Sequence, residues 1–179
     1  MGTTLGIHWI ATTHGTWLHG DVRGSWFKGR LVGPDPFLEQ AIRTRMADDA
    51  VVLSPGEVAA VADRIGAVVR EQRYRVYAAT VHPTHLHVVF APLPEDVKRT
   101  IARLKKRTAD VVLSARRRNG DDRRHLWTQR QFPVFIFDDD HLRNAIEYVR
   151  RHNVRVGLPP DPYPWIDPMY PPGQHGRAI

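Results

Sequence analysis

Two pairs of side chains in this sequence stand where chemistry could be done. His85 and His87 are two apart in the run THLHVVF. Side chains alternate along a strand, so both imidazoles project from one face, about 7 Å apart along the backbone, while Leu86, Val88 and Phe90 turn towards a core. Two neutral imidazoles on a rigid surface are half of a divalent metal site; at least one more ligand is needed, with water or substrate oxygens completing the sphere. Taken alone the motif is weak, because two surface histidines beside a turn look the same. Tyr148 and His152 form the second pair, in EYVRRHNVRVGL. Four residues apart on a helix, they share one face about 40° apart around the axis. That face also carries His141 and Asn144 and lies opposite Ile146 and Val149. Core packing therefore does not account for a tyrosine there.

The elements that must hold these pairs are legible from periodicity and punctuation. Leu5 to Thr13 is rich in Ile, Trp and Thr and reads as a strand, followed by HGTWLHGDVRGSWFKG as a long shaped loop. Ser54, Pro55 and Glu57 make a helix start of the capping-box kind, and Val58, Val61, Ile65, Val68 and Val69 give that helix one apolar side. Tyr74–Val81 and His85–Ala91 are β-rich and joined by a Pro-containing turn, as an antiparallel pair requires. A second helix from Pro94 carries Val97, Ile101, Leu104, Thr108 and Val111 on one face, with Lys98, Arg99, Arg103, Lys105, Lys106 and Arg107 crowding the rest. Trp127 to Phe137 reads as extended. Asp138–Asp140 then open a third helix, through about Asn153, with Leu142, Ala145, Ile146 and Val149 as its buried stripe. The fold class is α+β: a ferredoxin-like antiparallel sheet with helices packed mainly on one face. Residues 1–158 form a single domain, and 159–179 a proline-rich extended tail pinned by Trp165.

Composition narrows the partners. Lys and Arg number 26 against 19 Asp and Glu, for a net charge of +7, and such a surplus favours a polyanion by neutralising phosphates. There is no cysteine, which removes disulfide frameworks and thiolate zinc sites. MGTTLGIHWI has neither the basic flank nor the apolar run of a secretory signal, and no stretch reaches the roughly 20 apolar residues of a membrane span. The expectation is a cytoplasmic, nucleoid-associated protein with no membrane partner.

His85-Leu86-His87 after the strand and HPT turn, then LKKRTADVV, then HLWTQRQFPVFIFDDDHLRNAIEYVRRHNVRVGL, resemble the single-tyrosine HUH transposases. The resemblance is greatest to the REP-associated tyrosine transposases and their insertion-sequence relatives, and it spans about Ile7 to Leu158. It implies a metal-dependent enzyme that nicks and joins single-stranded or hairpin DNA through a 5′-phosphotyrosine bond, with Mg²⁺ or Mn²⁺ as cofactor. It implies Tyr148 as the nucleophile and His85 and His87 as metal ligands. The family's third ligand, four positions after the tyrosine, falls on His152, with Asn153 as the alternative; the family's Asn before the first metal histidine is here Thr84. Lys98, Arg103, Lys105, Lys106, Arg107, Arg130 and Arg151 would follow the DNA backbone, and Trp17, Trp26 and Trp127 are available as stacking platforms, although each Trp taken singly reads more readily as core. His14, His19 and His82 are read as structural or DNA-contacting, and a second metal cluster is not expected. A monomer or a homodimer fits equally. The alternative is a catalytically silent DNA- or RNA-binding regulator derived from such an enzyme. A metal hydrolase of small substrates would need a deep apolar pocket and explains neither the charge nor the tyrosine.

Overall fold

The computed structural model describes residues 3–27, 30–129 and 133–167, with Trp26 and Phe27 as backbone alone. In chain order the elements are β1 (Gly6–Thr12), β2 (Ser25–Phe27), β3 (Arg30–Val32), α1 (Pro36–Arg45), α2 (Pro55–Gln72), β4 (Val76–Val81), β5 (His85–Phe90), α3 (Val97–Arg118), β6 (Val134–Ile136) and α4 (Asp139–Arg155). Four strands make one sheet in the order β4-β5-β1-β6, every neighbouring pair antiparallel. With α2 crossing from β1 to β4 and α3 from β5 to β6, this is the expected ferredoxin-like α+β arrangement.

Alternation along the strands divides the interior into two layers. Ile7, Trp9, Leu86, Val88 and Phe90 meet Val61, Ile65 and Val68 of α2 and Ile101, Leu104 and Val112 of α3. On the opposite face Tyr77, Ala78, Val89 and Ile136 meet Leu142, Ala145, Ile146 and Val149 of α4. A register irregularity between Val76 and Ala78 puts Tyr77 and Ala78 both in the α4 layer. Beyond it Thr80 stands opposite His87, so both belong to the face that α4 covers.

The helix starts are built as the sequence predicts. The Ser54 hydroxyl accepts from Glu57 N at 3.3 Å, the Glu57 carboxylate accepts from Ser54 N at 2.8 Å, and Pro55 opens the helix. Glu57 also takes two bonds from the Arg116 guanidinium, at 2.6 and 2.8 Å, tying the start of α2 to the end of α3. Arg116 holds the Glu57 carboxyl at about 2. In α3 the cap is Asp96, and the buried stripe passes through Val112 where Val111 was expected. Two elements were not foreseen. Part of the glycine-rich loop pairs as the β2–β3 ribbon, and α1 follows it, capped by Asp35. None of the α1 residues is buried.

After α4 the chain returns across the sheet. Trp165 and Ile166 are buried in the α2/α3 layer, and Trp165 stacks on Tyr163 at 5.0 Å between centroids. Gly66 of α2 makes room for that indole: a Cβ there would fall 2.6 Å from Trp165 Nε1. Gly66→Ala is therefore expected to lower stability by up to about 2 kcal/mol. Overpacking of about 1–3 kcal/mol is offset only in part by alanine's better helix propensity, about 1 kcal/mol. Thermal unfolding checks this, and a rise in melting temperature would show that the ring is free to move aside.

Candidate functional site

Residues far apart in the chain converge on the α4 face of the sheet, at the turn end of β5. His85 and His87 project there from β5, with ring centroids 5.3 Å apart. From α4, the Tyr148 ring lies 5.4 Å from His87 and 4.7 Å from His152, and His152 lies 5.7 Å from His85 and 5.2 Å from His87. All these groups belong to one chain. Tyr148 is 47% exposed, open enough for a large substrate to reach it.

The last turns of α4 are held firmly. The Arg150 guanidinium, 4% exposed, donates twice to Asp161, at 2.9 and 2.7 Å. Asn153 is fully buried, and its amide donates to Ala79 O at 3.0 Å and Pro160 O at 2.9 Å. The Asn153 amide nitrogen thus pins the helix end to β4, while His152 is the α4 residue whose ring packs against His85 and His87.

Two further histidines join the cluster. His8 of β1 lies with Nε2 3.0 Å from His87 Nδ1. His82 stacks on His85, centroids 4.8 Å apart and planes 7° apart, because Pro83 and Thr84 form a two-residue turn and His82 N donates to His85 O. The signal for His82 was present in the sequence: residues that flank a two-residue hairpin loop are cross-strand neighbours on one face. No such local signal exists for His8, which β1 brings in from 79 residues away.

The ring nitrogens are already oriented. His87 Nδ1 lies 3.0 Å from His8 Nε2 and His85 Nδ1 lies 3.1 Å from Thr84 Oγ1; in the tautomers that carry the proton on Nδ1, both histidines keep an Nε2 lone pair for a ligand's role. Thr84 therefore fixes one of the two rings from the position just before it. Burial pushes His8 and His85 down to about 4 and His87 to about 2, and also holds His82 and His152 below the ordinary imidazole range. All five are then neutral at pH 7, as metal ligands must be.

An acid sensitivity follows. The folded-state values lie below the unfolded value of 6.5, so the uncharged form stabilises the fold fully above pH 6.5, and that contribution is lost as pH falls towards 4. His8 alone accounts for about 2 kcal/mol at pH 5. The chelator-treated protein should melt well below its pH 7.5 temperature at pH 5, a window in which Glu57 stays ionised. Equal melting temperatures at the two values would contradict the burial argument.

The expected DNA contacts do not gather at this site. Arg103 donates to Glu95 at 2.7 Å and to Gln72, Arg107 pairs with Glu71, and Lys106 pairs with Asp110 at 2.6 Å. Lys105 donates to the carbonyls of Thr128 and Gln129. These residues sit on α3, in the layer opposite the histidines, as does the exposed Lys98. Trp127 is 5% exposed with its indole N–H 2.9 Å from Thr108 Oγ1, which corrects the reading of it as a stacking platform: its ring fills the core. Trp17 is 38% exposed, with its N–H on Gly24 O and the Arg23 guanidinium over its ring. Arg151 is exposed on α4; Arg130 and the Trp26 side chain lie outside the described residues.

A family model described as "Transposase IS200 like" matches residues 52–152, more than half of the chain. The chain belongs to this family. The match takes in the hairpin, α3, β6 and α4 through His152, but not β1 with His8. Among solved structures, the chain is similar to one described as "Structure of the REP associates tyrosine transposase bound to a REP hairpin". Identity is 14% and the TM-score 0.49, over 88% of this chain and 72% of that one. No curated protein matches. Among the described residues of this IS200-like transposase, no helix is long and apolar enough to cross a membrane.

Proposed function

We propose that this IS200-like transposase nicks and rejoins single-stranded or hairpin DNA, with Tyr148 as its nucleophile. The observation that carries this reading is the meeting of an exposed Tyr148 ring with His87 and His152 at 5.4 and 4.7 Å, on a face that core packing does not need. The Tyr148 oxygen attacks the phosphorus in line with the 3′-oxygen. A phosphotyrosine bond forms to the 5′ side, the P–O3′ bond breaks, and the 3′-oxygen leaves as a free hydroxyl after taking up a proton. Attack by that 3′-hydroxyl on the phosphotyrosine reverses the step, so rejoining requires no external energy source.

His85 and His87, with His152, are the residues that would hold a divalent cation beside the tyrosine. Such an ion neutralises charge on the phosphate and polarises it for attack. The donors fit a metal: they are neutral, the Nδ1 atoms of His85 and His87 are hydrogen-bonded to Thr84 and His8, and among the described residues no carboxylate forms an ion pair with them. Of the two expected ions, these nitrogens favour Mn²⁺, since Mg²⁺ takes oxygen ligands. The net charge of +7 favours the polyanionic substrate.

The test is to incubate the full chain with Mn²⁺ and a set of hairpin oligonucleotides carrying single-stranded flanks. A protein–DNA adduct that survives denaturation is expected, and a chelator should remove it. DNA binding that persists under chelation, with no cleavage of any oligonucleotide, would favour a silent binding module instead.

A further inference from the structure

The transposase reading uses His85, His87 and His152, but the atoms that stand ready to share one ion are different. The ligand nitrogens of His82, His85 and His152 all lie within 4.8 Å of one another, and among the described residues this is the group that could close on a metal. His82 Nε2 is buried without a hydrogen-bond partner. A buried polar nitrogen with nothing to bond costs about 1–3 kcal/mol, so its position calls for a partner. Two neighbouring atoms on the same β4–α4 seam, Thr80 Oγ1 and Asn153 Oδ1, are also buried and unpaired.

We propose that His82 is a metal ligand, and that His82, His85 and His152 form a three-imidazole site for a zinc-class ion (Zn²⁺, Co²⁺ or Ni²⁺) in preference to Mg²⁺. The proposal deepens the transposase reading by naming the ion, and it rests on that reading only for the use of the site. Three nitrogens and no carboxylate suit zinc-class ions, whereas Mg²⁺ demands oxygen ligands in a near-octahedral shell and gives up its water reluctantly. Three protein ligands would leave a fourth position for water or substrate, and Tyr148 packs against one of the three, His152, with ring centroids 4.7 Å apart. In a tetrahedral site with bonds of about 2.0–2.1 Å the ligand atoms are about 3.3 Å apart. The imidazoles therefore close by roughly 1.5 Å from their 4.8 Å limit, a movement that side-chain rotation supplies. The stacking of His82 on His85 holds the two rings in register for this closure, and the short Pro83-Thr84 turn keeps their strands together.

The experiment titrates the metal-stripped full chain with Co²⁺, following the visible absorption of tetrahedral, nitrogen-ligated Co²⁺, and then displaces it with Zn²⁺. One equivalent should bind, a hundredfold excess of Mg²⁺ should leave the spectrum unchanged, and His82→Ala should weaken Co²⁺ binding at least ~10–100-fold. His82→Asn, which keeps a polar side chain at the turn, should show the same loss; far-ultraviolet circular dichroism confirms that both variants fold. An unchanged spectrum and affinity in both folded variants would overturn the role of His82. Displacement by equimolar Mg²⁺ would overturn the ion class. Adduct formation on hairpin DNA is scored separately. His82-dependent Co²⁺ binding without any adduct would leave the triad standing and sink the transposase reading; an adduct with intact Co²⁺ binding in the variants would do the reverse.

Discussion

Tyr148→Phe is expected to abolish the covalent protein–DNA adduct while leaving folding and DNA binding intact. The change removes one oxygen and keeps the ring that rests against His87 and His152. Since the residue is 47% exposed, losing the hydroxyl should alter stability by no more than about 0.5 kcal/mol. Chemistry has no such tolerance: without an attacking atom, strand cleavage should fall by about 10⁴-fold or more. Other tyrosines offer no rescue among the described residues. Tyr74 is buried and bonded to Glu95, Tyr77 is buried beneath α4, and Tyr163 stacks on Trp165. The measurement is denaturing electrophoresis of labelled hairpin oligonucleotide after incubation with protein and Mn²⁺, beside a binding isotherm for each variant. An adduct of unchanged yield would remove Tyr148 from the reaction.

What the sequence disclosed, it disclosed through short-range periodicity. Alternation in THLHVVF gave the orientation of His85 and His87, and three- and four-residue steps gave the buried stripes of α2 and α4. Each needs only the geometry of one element. The capping box at Ser54 was legible for the same reason. The unforeseen features depend on which elements become neighbours. His8 matters because β1 inserts beside β5 in the middle of the sheet, a pairing that no local pattern announces. The basic side of α3 was legible as a face, but not the layer in which it lies. Placed opposite the histidines, Arg103 and Arg107 pair with Glu95 and Glu71. Trp127 shows the same limit: an aromatic beside polar residues reads as a platform until Thr13 pairs with it across the sheet edge and Thr108 takes its N–H. His82 is different, because the hairpin that pairs it with His85 was read from the sequence, yet the consequence for its side chain was not drawn.

The second large effect is expected from the histidine pair, and the two members should fail differently. His85→Ala removes a nitrogen common to both ways of gripping an ion, with His87 and His152 or with His82 and His152. Metal affinity and adduct formation should both collapse, the latter by about 10³-fold or more, since charge neutralisation on the phosphate is worth several kcal/mol. Its ring is half-buried and, among the described residues, hydrogen-bonds to the neighbouring Thr84 hydroxyl, so stability should change little. His87→Ala, by contrast, strips His8 Nε2 of its partner in a site where both rings are less than a tenth exposed. Leaving that nitrogen unpaired should cost about 1–3 kcal/mol, visible as a lower melting temperature at pH 7.5. Metal affinity then separates the two arrangements. If His87 grips the ion directly, His87→Ala binds Co²⁺ as poorly as His85→Ala does. If the ion sits among His82, His85 and His152, then His87→Ala keeps its Co²⁺ spectrum and loses stability alone. Metal binding and melting temperature undiminished in both variants would mean that the pair is neither ligand nor buried support. The β5 histidines would then have no part in the chemistry proposed for Tyr148.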